Sequence, residues 1–252
     1  MPVARIDDVE IAYVDEGAGH PVVLIHGFAS SKEANWINTG WVKWLVDAGY
    51  RVIAFDNRGH GESSKFHDSA HYSLALMAKD AIGLIRHLDL KQPHVMGYSM
   101  GARVSAFMAL RHPEKVATLI LGGLGYGMVE GVGDWDPIAE ALSAEDPKTI
   151  SHDRGLMFRT FADQTKSDRK ALAACISRSR DLLSKADAAR ITQPVLVAVG
   201  TTDDIAGSPH ELAKLMPRAK AFDIAGRDHM LSVGDRTFKK RALEFLAEHP
   251  LA

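Results

Sequence analysis

Continuous apolar runs alternate with segments of helical spacing along most of the chain. Runs of four to eight mostly apolar residues, rich in β-branched side chains, are typical of strands that are buried on both faces. Such runs predict strands at 3–6, 9–14, 21–25, 51–55, 94–96, 116–121, 194–199 and 219–224. Apolar residues at helical spacing predict helices at 41–48, 74–88, 102–110, 137–142, 154–161, 168–183, 211–215 and 236–247. Alternating strands and helices favour right-handed βαβ crossovers, and hence an α/β fold with a doubly wound, mostly parallel sheet.

One long interval interrupts this alternation. Glycines punctuate the chain from Gly122 to Gly133, helical segments follow, and the strand pattern resumes only near Pro194. The interval is too long for a single crossover connection. The pattern therefore predicts a helical cap, residues 125–189, inserted into a core domain formed by residues 1–124 and 190–252.

Composition narrows the class of protein. The 252 residues suit one α/β domain with an insertion, and 46% hydrophobic and 25% charged residues are typical of a globular protein. Lys plus Arg number 30 against 32 for Asp plus Glu, without a basic cluster, which disfavours a nucleic-acid partner. Cys175 is the only cysteine, so neither an intrachain disulfide nor a cysteine zinc site is expected. We interpret Cys175 as a small apolar residue on a cap helix.

The first residues show no basic segment followed by an apolar core, and no apolar run approaches the roughly 20 residues that span a bilayer. We therefore expect a cytoplasmic protein that has no membrane partner. Its oligomeric state is not predictable from these features.

A candidate nucleophile lies where one predicted strand meets the next helix. In an α/β sheet, ligands bind beyond the carboxyl ends of the strands. Gly97-Tyr98-Ser99-Met100-Gly101 occupies such an end, and a serine between two glycines fits a sharp turn that exposes its hydroxyl. A serine hydroxyl needs a base to take its proton, and the base needs a third group to orient it.

Candidates for those partners follow two later strands. Asp203 comes after the strand at 194–199, and His229 comes after the strand at 219–224, which gives the chain order Ser, Asp, His. Asp204 is an alternative acid if the predicted strand end is wrong by one residue. The backbone N–H groups of Met100 and Phe28 are the expected donors to a developing oxyanion.

These motifs resemble the α/β-hydrolase fold superfamily, in its small esterase-like branch, over nearly the whole chain. They are His26-Gly27-Phe28, the run from Asp56 to Ser63, Gly97-Tyr98-Ser99-Met100-Gly101, Gly200-Thr201-Thr202-Asp203-Asp204-Ile205 and Gly226-Arg227-Asp228-His229. The resemblance implies Ser99 as nucleophile, Asp203 as acid, His229 as base, and Phe28 and Met100 as oxyanion donors, without a metal or cofactor. Ala29 and Ala102 depart from the commonest family residues, but neither replaces a catalytic group.

Other polar residues near the predicted site have simpler interpretations. His26 is expected to brace the oxyanion loop, and Asp56, Arg58 and Ser63 are expected to lock their own loop. Asp228 is interpreted as a surface or turn residue. Arg103 is expected on an exposed or half-exposed side of its helix.

Six large residues either line an acyl or alcohol pocket or pack the cap on the core. They are Tyr98, Tyr126, Met128, Trp135, Met157 and Phe158. The sequence therefore predicts a serine hydrolase that acts on a small or medium carboxylic ester. Hydrolysis of a lactone, thioester or C–C bond, perhydrolysis without a cofactor, and simple ligand binding on this scaffold stay open. Relatives that attack halides or epoxides use an aspartate where this chain has Ser99.

Overall fold

The computed structural model describes residues 1–251 and contains one eight-stranded sheet, in the order β1-β2-β4-β3-β5-β6-β7-β8. The strands are β1 (Val3–Ile6), β2 (Val9–Glu16), β3 (Pro21–Ile25), β4 (Arg51–Phe55), β5 (His94–Tyr98), β6 (Thr118–Gly122), β7 (Val195–Gly200) and β8 (Ala219–Ile224). β1 and β2 pair antiparallel at one edge, and the pairs from β4 to β8 are parallel. The predicted fold class, a doubly wound and mostly parallel α/β sheet, is confirmed.

Ten α-helices connect the strands or cover the sheet. They are α1 (Trp41–Asp47), α2 (Leu74–His87), α3 (Met100–Arg111), α4 (Gly127–Glu130), α5 (Asp136–Ser143), α6 (Asp153–Gln164), α7 (Arg169–Arg178), α8 (Lys185–Ala189), α9 (Pro209–Ala213) and α10 (Arg236–Ala247). A π-helix at Glu33–Ile37 follows β3. Local capping explains several helix starts: Ser73 accepts a hydrogen bond from the Leu76 N–H at α2, and Asp235 caps α10 in the same way.

The central strands, β3 to β7, are buried on both faces because they contribute alternate side chains to two cores. Val23, Ile25 and Val95 pack with α2 and α3 on one face. Val22 and Leu24 pack with α1 and α10 on the other. This arrangement explains why the strands are continuous apolar runs.

The segment between β6 and β7 contains α4 to α8 and, within the described residues, no strand. Its helices α5, α6 and α7 pack on one another, and Cys175 of α7 is buried with its sulfur 4.0 Å from that of Met100. The predicted helix at 168–183 is correct at its start, where Asp168 is the N-cap of α7, and wrong at its end, because the helix ends at Arg178. Beyond α7 the backbone forms a hydrogen bond to another segment, because the Leu183 N–H donates to the carbonyl of Met128. The division into a separate cap at 125–189 stays a prediction.

No helix within residues 1–251 combines the length and the apolar character that crossing a membrane would require.

Candidate active site

Ser99 lies in a strained turn between β5 and α3. Its φ of 53° and ψ of −113° are unusual for a residue with a side chain. A Cβ at position 97 would collide with the carbonyl of Gly101, and one at position 101 would collide with the carbonyl of Ile25. The two glycines are therefore required by the close approach of three backbone segments, which holds the serine at the end of β5.

A chain of hydrogen bonds connects Ser99 to His229 and His229 to Asp203. Ser99 Oγ lies 3.1 Å from His229 Nε2, and His229 Nδ1 lies 2.8 Å from Asp203 Oδ2. The Asp203 side chain is fully buried, and its Oδ1 accepts from the N–H groups of Ile205 and Ala206 at 2.9 and 3.0 Å. Because Asp203 Oδ2 accepts a hydrogen bond beside Nδ1, His229 favours the tautomer that carries its proton on Nδ1. Its Nε2 is then an acceptor that faces Ser99 Oγ.

The structure thus brings together the three residues that the sequence singled out. Asp204, the alternative acid, is exposed and makes no hydrogen bond or ion pair with His229. Asp228 is exposed and its Oδ1 accepts from the N–H groups of Met230 and Leu231, as expected of a turn residue.

Tyr98 holds the loop that carries His229. The phenol donates a 2.6 Å hydrogen bond to the carbonyl of His229, and the two rings lie 5.7 Å apart. Burial raises the pKa of Tyr98 well above its ordinary value, so the hydroxyl stays protonated and able to donate. The sequence offered no signal for this contact, because the partner is a main-chain carbonyl 131 positions along the chain.

The N–H groups of Phe28 and Met100 are available as hydrogen-bond donors. Among residues 1–251 neither donates to a protein acceptor. Met100 begins α3, so its N–H is one of the unpaired donors of a helix N-terminus. Phe28 follows β3 at the same end of the sheet, and a Cβ added at Gly27 beside it would lie 3.5 Å from Ser99 Cβ. Both donors therefore suit an anionic oxygen near Ser99.

Two buried histidines hold the loop that contains Phe28. His60 Nε2 accepts from the Ala29 N–H at 3.1 Å, and His26 Nε2 accepts from the Asn57 N–H at 2.9 Å. The Nδ1 atom of each lies within 3.0 Å of a main-chain carbonyl and so carries the proton. Burial lowers the pKa of both, that of His60 to about 3, which keeps the rings neutral. His26 thus has the bracing role that the sequence predicted.

A buried lysine, which the sequence did not single out, joins the same loop to the loop after β4. The Lys32 ammonium is fully buried and lies 2.7 Å from Asp56, 2.7 Å from Glu33 and 2.9 Å from Glu62. Burial lowers its pKa, but the hydrogen bonds that the ammonium donates to the three carboxylates outweigh that effect and raise it. The three carboxylates are spaced like metal ligands, yet the ammonium already supplies the positive charge.

The predicted loop-locking residues act as expected. Asp56 accepts hydrogen bonds from the N–H groups of Lys32 and Glu62, and Ser63 Oγ donates to the Asp56 carbonyl. Arg58 makes a bidentate pair with buried Asp80 at 2.6 and 2.7 Å. This network orients the Phe28 loop without reaching Ser99.

Two cavities of about 240 Å³ each meet at Ser99 and share Phe28 and Trp135. The first is lined by Phe28, Ser99, Met100, Arg103, Leu124, Gly131, Val132, Gly133, Trp135, Ile176, Ser179, Arg180, Leu182 and Ile205. The second is lined by Gly27, Phe28, Ser30, Ala34, Asn35, Thr39, Tyr98, Ser99, Trp135, Met157, Phe158, Phe161, His229, Met230 and Val233. We call them the Arg103 cavity and the His229 cavity.

Four of the six predicted pocket residues line a cavity at Ser99, and the other two do not. Tyr98, Trp135, Met157 and Phe158 line the His229 cavity. Tyr126 and Met128 line neither cavity; Met128 is buried in the core and Tyr126 lies beneath the ammonium of Lys185.

The predicted exposure of Arg103 is wrong. The residue is 6% exposed, and its guanidinium donates to the carbonyls of Gly127, Met128 and Asp181 at 3.0 to 3.2 Å. α3 lies beneath the segment between β6 and β7, which covers the side of the helix that carries Arg103. Spacing within one helix cannot reveal a cover that comes from a distant segment.

The chain is similar in sequence to known proteins. A family model described as α/β hydrolase fold matches residues 20–154, more than half of the chain. A non-heme haloperoxidase of Rhodococcus erythropolis is 38% identical over 128 residues, which cover 49% of this chain and 44% of that protein. A putative non-heme bromoperoxidase of Mycobacterium tuberculosis is 28% identical over 247 residues, covering 88% and 91%. The chain spans less than half the length of several curated relatives that it matches.

A solved structure of a hydrolase from Pseudomonas aeruginosa is 25% identical and superposes with a TM-score of 0.80 over 97% of both chains. The similarity therefore extends over the sheet and over the helical segment between β6 and β7.

Proposed function

Because the chain belongs to the α/β hydrolase fold family and aligns a serine, a histidine and an aspartate, we propose that it is a serine hydrolase. Its substrate is a small or medium carboxylic ester, cleaved through an acyl-enzyme intermediate. The observation that carries the proposal is the hydrogen-bond chain from Ser99 through His229 to buried Asp203, beside two unpaired N–H donors.

Acylation begins with attack of Ser99 Oγ on the ester carbonyl while His229 Nε2 takes the hydroxyl proton. The carbonyl oxygen becomes an oxyanion that accepts hydrogen bonds from the N–H groups of Phe28 and Met100. The bond to the leaving oxygen then breaks as His229 returns the proton to it. Asp203 stabilises the imidazolium that exists between these two transfers.

Deacylation repeats the sequence with water. His229 takes a proton from water, whose oxygen attacks the acyl carbon, and the bond to Ser99 Oγ breaks as the serine regains its proton. The products are a carboxylic acid, an alcohol and free enzyme.

The two cavities support a substrate of limited size. Each is about 240 Å³ and is lined mainly by apolar side chains. Volumes at or below the low end of the usual range for ligand sites favour short acyl and alcohol groups over long chains.

The test combines labelling with turnover. A fluorophosphonate probe is expected to label the wild-type protein at Ser99, and p-nitrophenyl acetate and butyrate are expected to be hydrolysed faster than p-nitrophenyl octanoate. Ser99→Ala is the matched control, since it removes only the hydroxyl. If the wild type is not labelled and hydrolyses no ester above this variant, the proposal is wrong.

Perhydrolysis is a second candidate, favoured by relatives whose names include haloperoxidase. In this reaction hydrogen peroxide replaces water in deacylation and the product is a peracid, which oxidises bromide without a metal. Bromination of monochlorodimedone that requires acetate, hydrogen peroxide and Ser99 would support it. Bromination that persists in Ser99→Ala would contradict it.

A further inference from the structure

We propose that the Arg103 cavity binds the acyl part of the substrate and that this acyl part ends in a carboxylate. The preferred substrates are then half-esters of dicarboxylic acids. The inference rests on the proposed hydrolase function and names the substrate class of that same site.

The positions of His229 and Met100 assign the two cavities. In the proposed mechanism His229 gives its proton to the leaving oxygen, so the leaving group lies on the side of His229. His229 lines only one cavity, whereas Met100 lines only the other. With the carbonyl at Ser99, where the cavities meet, the alcohol part occupies the His229 cavity and the acyl part occupies the Arg103 cavity.

Arg103 brings a positive charge into the Arg103 cavity; the nearby Asp181 carboxylate attracts it but forms its ion pair with Arg178. Within residues 1–251 no carboxylate lies within ion-pair distance of its guanidinium, whose partners are three main-chain carbonyls. These use both Nη1 hydrogens and one on Nη2, which leaves an Nη2 hydrogen and the Nε hydrogen for another acceptor. Burial lowers the pKa of Arg103 to about 10, so the group still carries its charge at neutral pH.

Helix geometry directs this charge toward the nucleophile. Arg103 follows Ser99 by four positions, which is one turn of α3, and its backbone N–H bonds to the Ser99 carbonyl. Helical side chains lean toward the helix N-terminus, which here is the end at Ser99. The cavity lining includes both residues, as this geometry requires.

A second guanidinium lies in the same cavity. Arg180 Nη2 is buried and lies 2.8 Å from Asp136 Oδ1 without the geometry of a hydrogen bond. The Asp136 side chain is 71% exposed, so water weakens its attraction for the arginine. The lining residues, all of which the structure describes, include two arginines and no acidic residue.

The rest of the Arg103 cavity is apolar. Leu124, Val132, Ile176, Leu182 and Ile205 contribute to its wall. An acyl group with a short hydrocarbon chain and a terminal carboxylate matches both features, because the chain contacts the apolar wall and the carboxylate accepts from guanidinium N–H donors.

The test compares isosteric esters that differ only in charge. Mono-p-nitrophenyl adipate and suberate are each paired with the ester in which a primary amide replaces the free carboxylate, after subtraction of spontaneous hydrolysis. A charge-assisted hydrogen bond predicts that kcat/KM of the wild type favours the anionic ester by about 10- to 100-fold. In Arg103→Met this ratio is expected to fall to about one, and Arg103→Lys should retain part of the preference.

The ratio separates binding of the carboxylate from support of the fold. If Arg103 only supports the fold through its three carbonyl contacts, its replacement lowers kcat/KM for both esters by the same factor and leaves their ratio unchanged. That result would overturn the inference. Arg111→Met, at the exposed end of the same helix, is the matched control and should leave the ratio unaltered. If Arg103→Met does not fold, the inference is tested with the ratio of the wild type and with that of Arg180→Met, which should be lower. A wild-type ratio at or below one refutes the inference.

Failure of the inference is distinguishable from failure of the proposed function. Turnover of the neutral esters with a ratio near one refutes only the carboxylate subsite. Absence of all turnover refutes the hydrolase function, and the Ser99→Ala protein then tests the subsite alone. Adipate should raise its melting temperature more than its neutral isostere adipamide does, and an equal or smaller shift counts against the subsite.

Discussion

Asp203→Asn tests the orientation of His229 with almost no change in volume. In the structure Asp203 Oδ1 accepts from two N–H groups and Oδ2 faces His229 Nδ1 at 2.8 Å. An asparagine keeps its carbonyl oxygen toward the two N–H groups, so its NH2 must face the imidazole. His229 Nδ1 then becomes an acceptor and the proton moves to Nε2, where it points at Ser99.

The expected loss follows from that tautomer. An Nε2 that carries a proton cannot take the one on Ser99 Oγ, which lies 3.1 Å away. The corresponding change in a chymotrypsin-like protease lowers kcat by about 10⁴, and a similar loss here corresponds to about 5 kcal/mol of transition-state stabilisation. Since the side chain keeps its size and two of its hydrogen bonds, the free energy of unfolding should change by much less.

The assay measures kcat for p-nitrophenyl butyrate per mole of protein, with the folded fraction of each variant checked by urea unfolding. Asp204→Asn is the matched control, since it removes the same charge from the neighbouring, exposed position and should keep kcat within about twofold. If Asp203→Asn retains more than a tenth of the activity, or Asp204→Asn loses as much, the role assigned to Asp203 is refuted.

Three further variants test the surroundings of the site by urea unfolding. Tyr98→Phe removes the hydroxyl that donates to the main-chain carbonyl of His229. It should lower the free energy of unfolding by about 1 to 3 kcal/mol and should also lower kcat. An unchanged free energy of unfolding would show that this contact does not stabilise the loop. Lys32→Met leaves the Asp56 carboxylate buried without its partner and should lower the free energy of unfolding by about 3 to 5 kcal/mol. Lys43→Met, which breaks an exposed ion pair, should lower it by less than about 1 kcal/mol. His94 is buried with a pKa lowered to about 4, so the unfolded chain binds a proton near pH 6.5 that the folded protein does not. Its contribution destabilises the protein as pH falls from 6.5 to 4 and reaches about 2 kcal/mol at pH 5, and His94→Leu should reduce the stability difference between pH 7 and 5 by that amount.

The features predictable from sequence are those that depend on neighbours along the chain. The parallel strands β3 to β7 are mostly apolar runs, and the turn at Ser99 needs only its flanking glycines, so both have local signals. Asp203 and His229 were identifiable because each follows a predicted strand, and the carboxyl ends of parallel strands meet at one edge of the sheet.

The features that could not be predicted depend on packing between distant segments. The buried side of α3 at Arg103 is covered by carbonyls from positions 127, 128 and 181, and the end of α7 is set by what the chain beyond it contacts. Lys32 follows the same rule, since three carboxylates from two loops converge on one ammonium. Arg103 and Lys32 are thus charged residues that contacts with distant segments bury.

Arg103 and Asp203 should affect different kinetic constants, because they meet parts of the substrate that behave differently during the reaction. The carboxylate proposed to bind Arg103 keeps its charge throughout, so that contact stabilises the bound substrate and the transition state equally. Its loss therefore raises KM and leaves kcat nearly unchanged. Asp203 acts on an imidazole that gains charge only as Ser99 attacks, so its loss lowers kcat. The same pair of cavities thus separates recognition, on the arginine side, from proton transfer, on the histidine side.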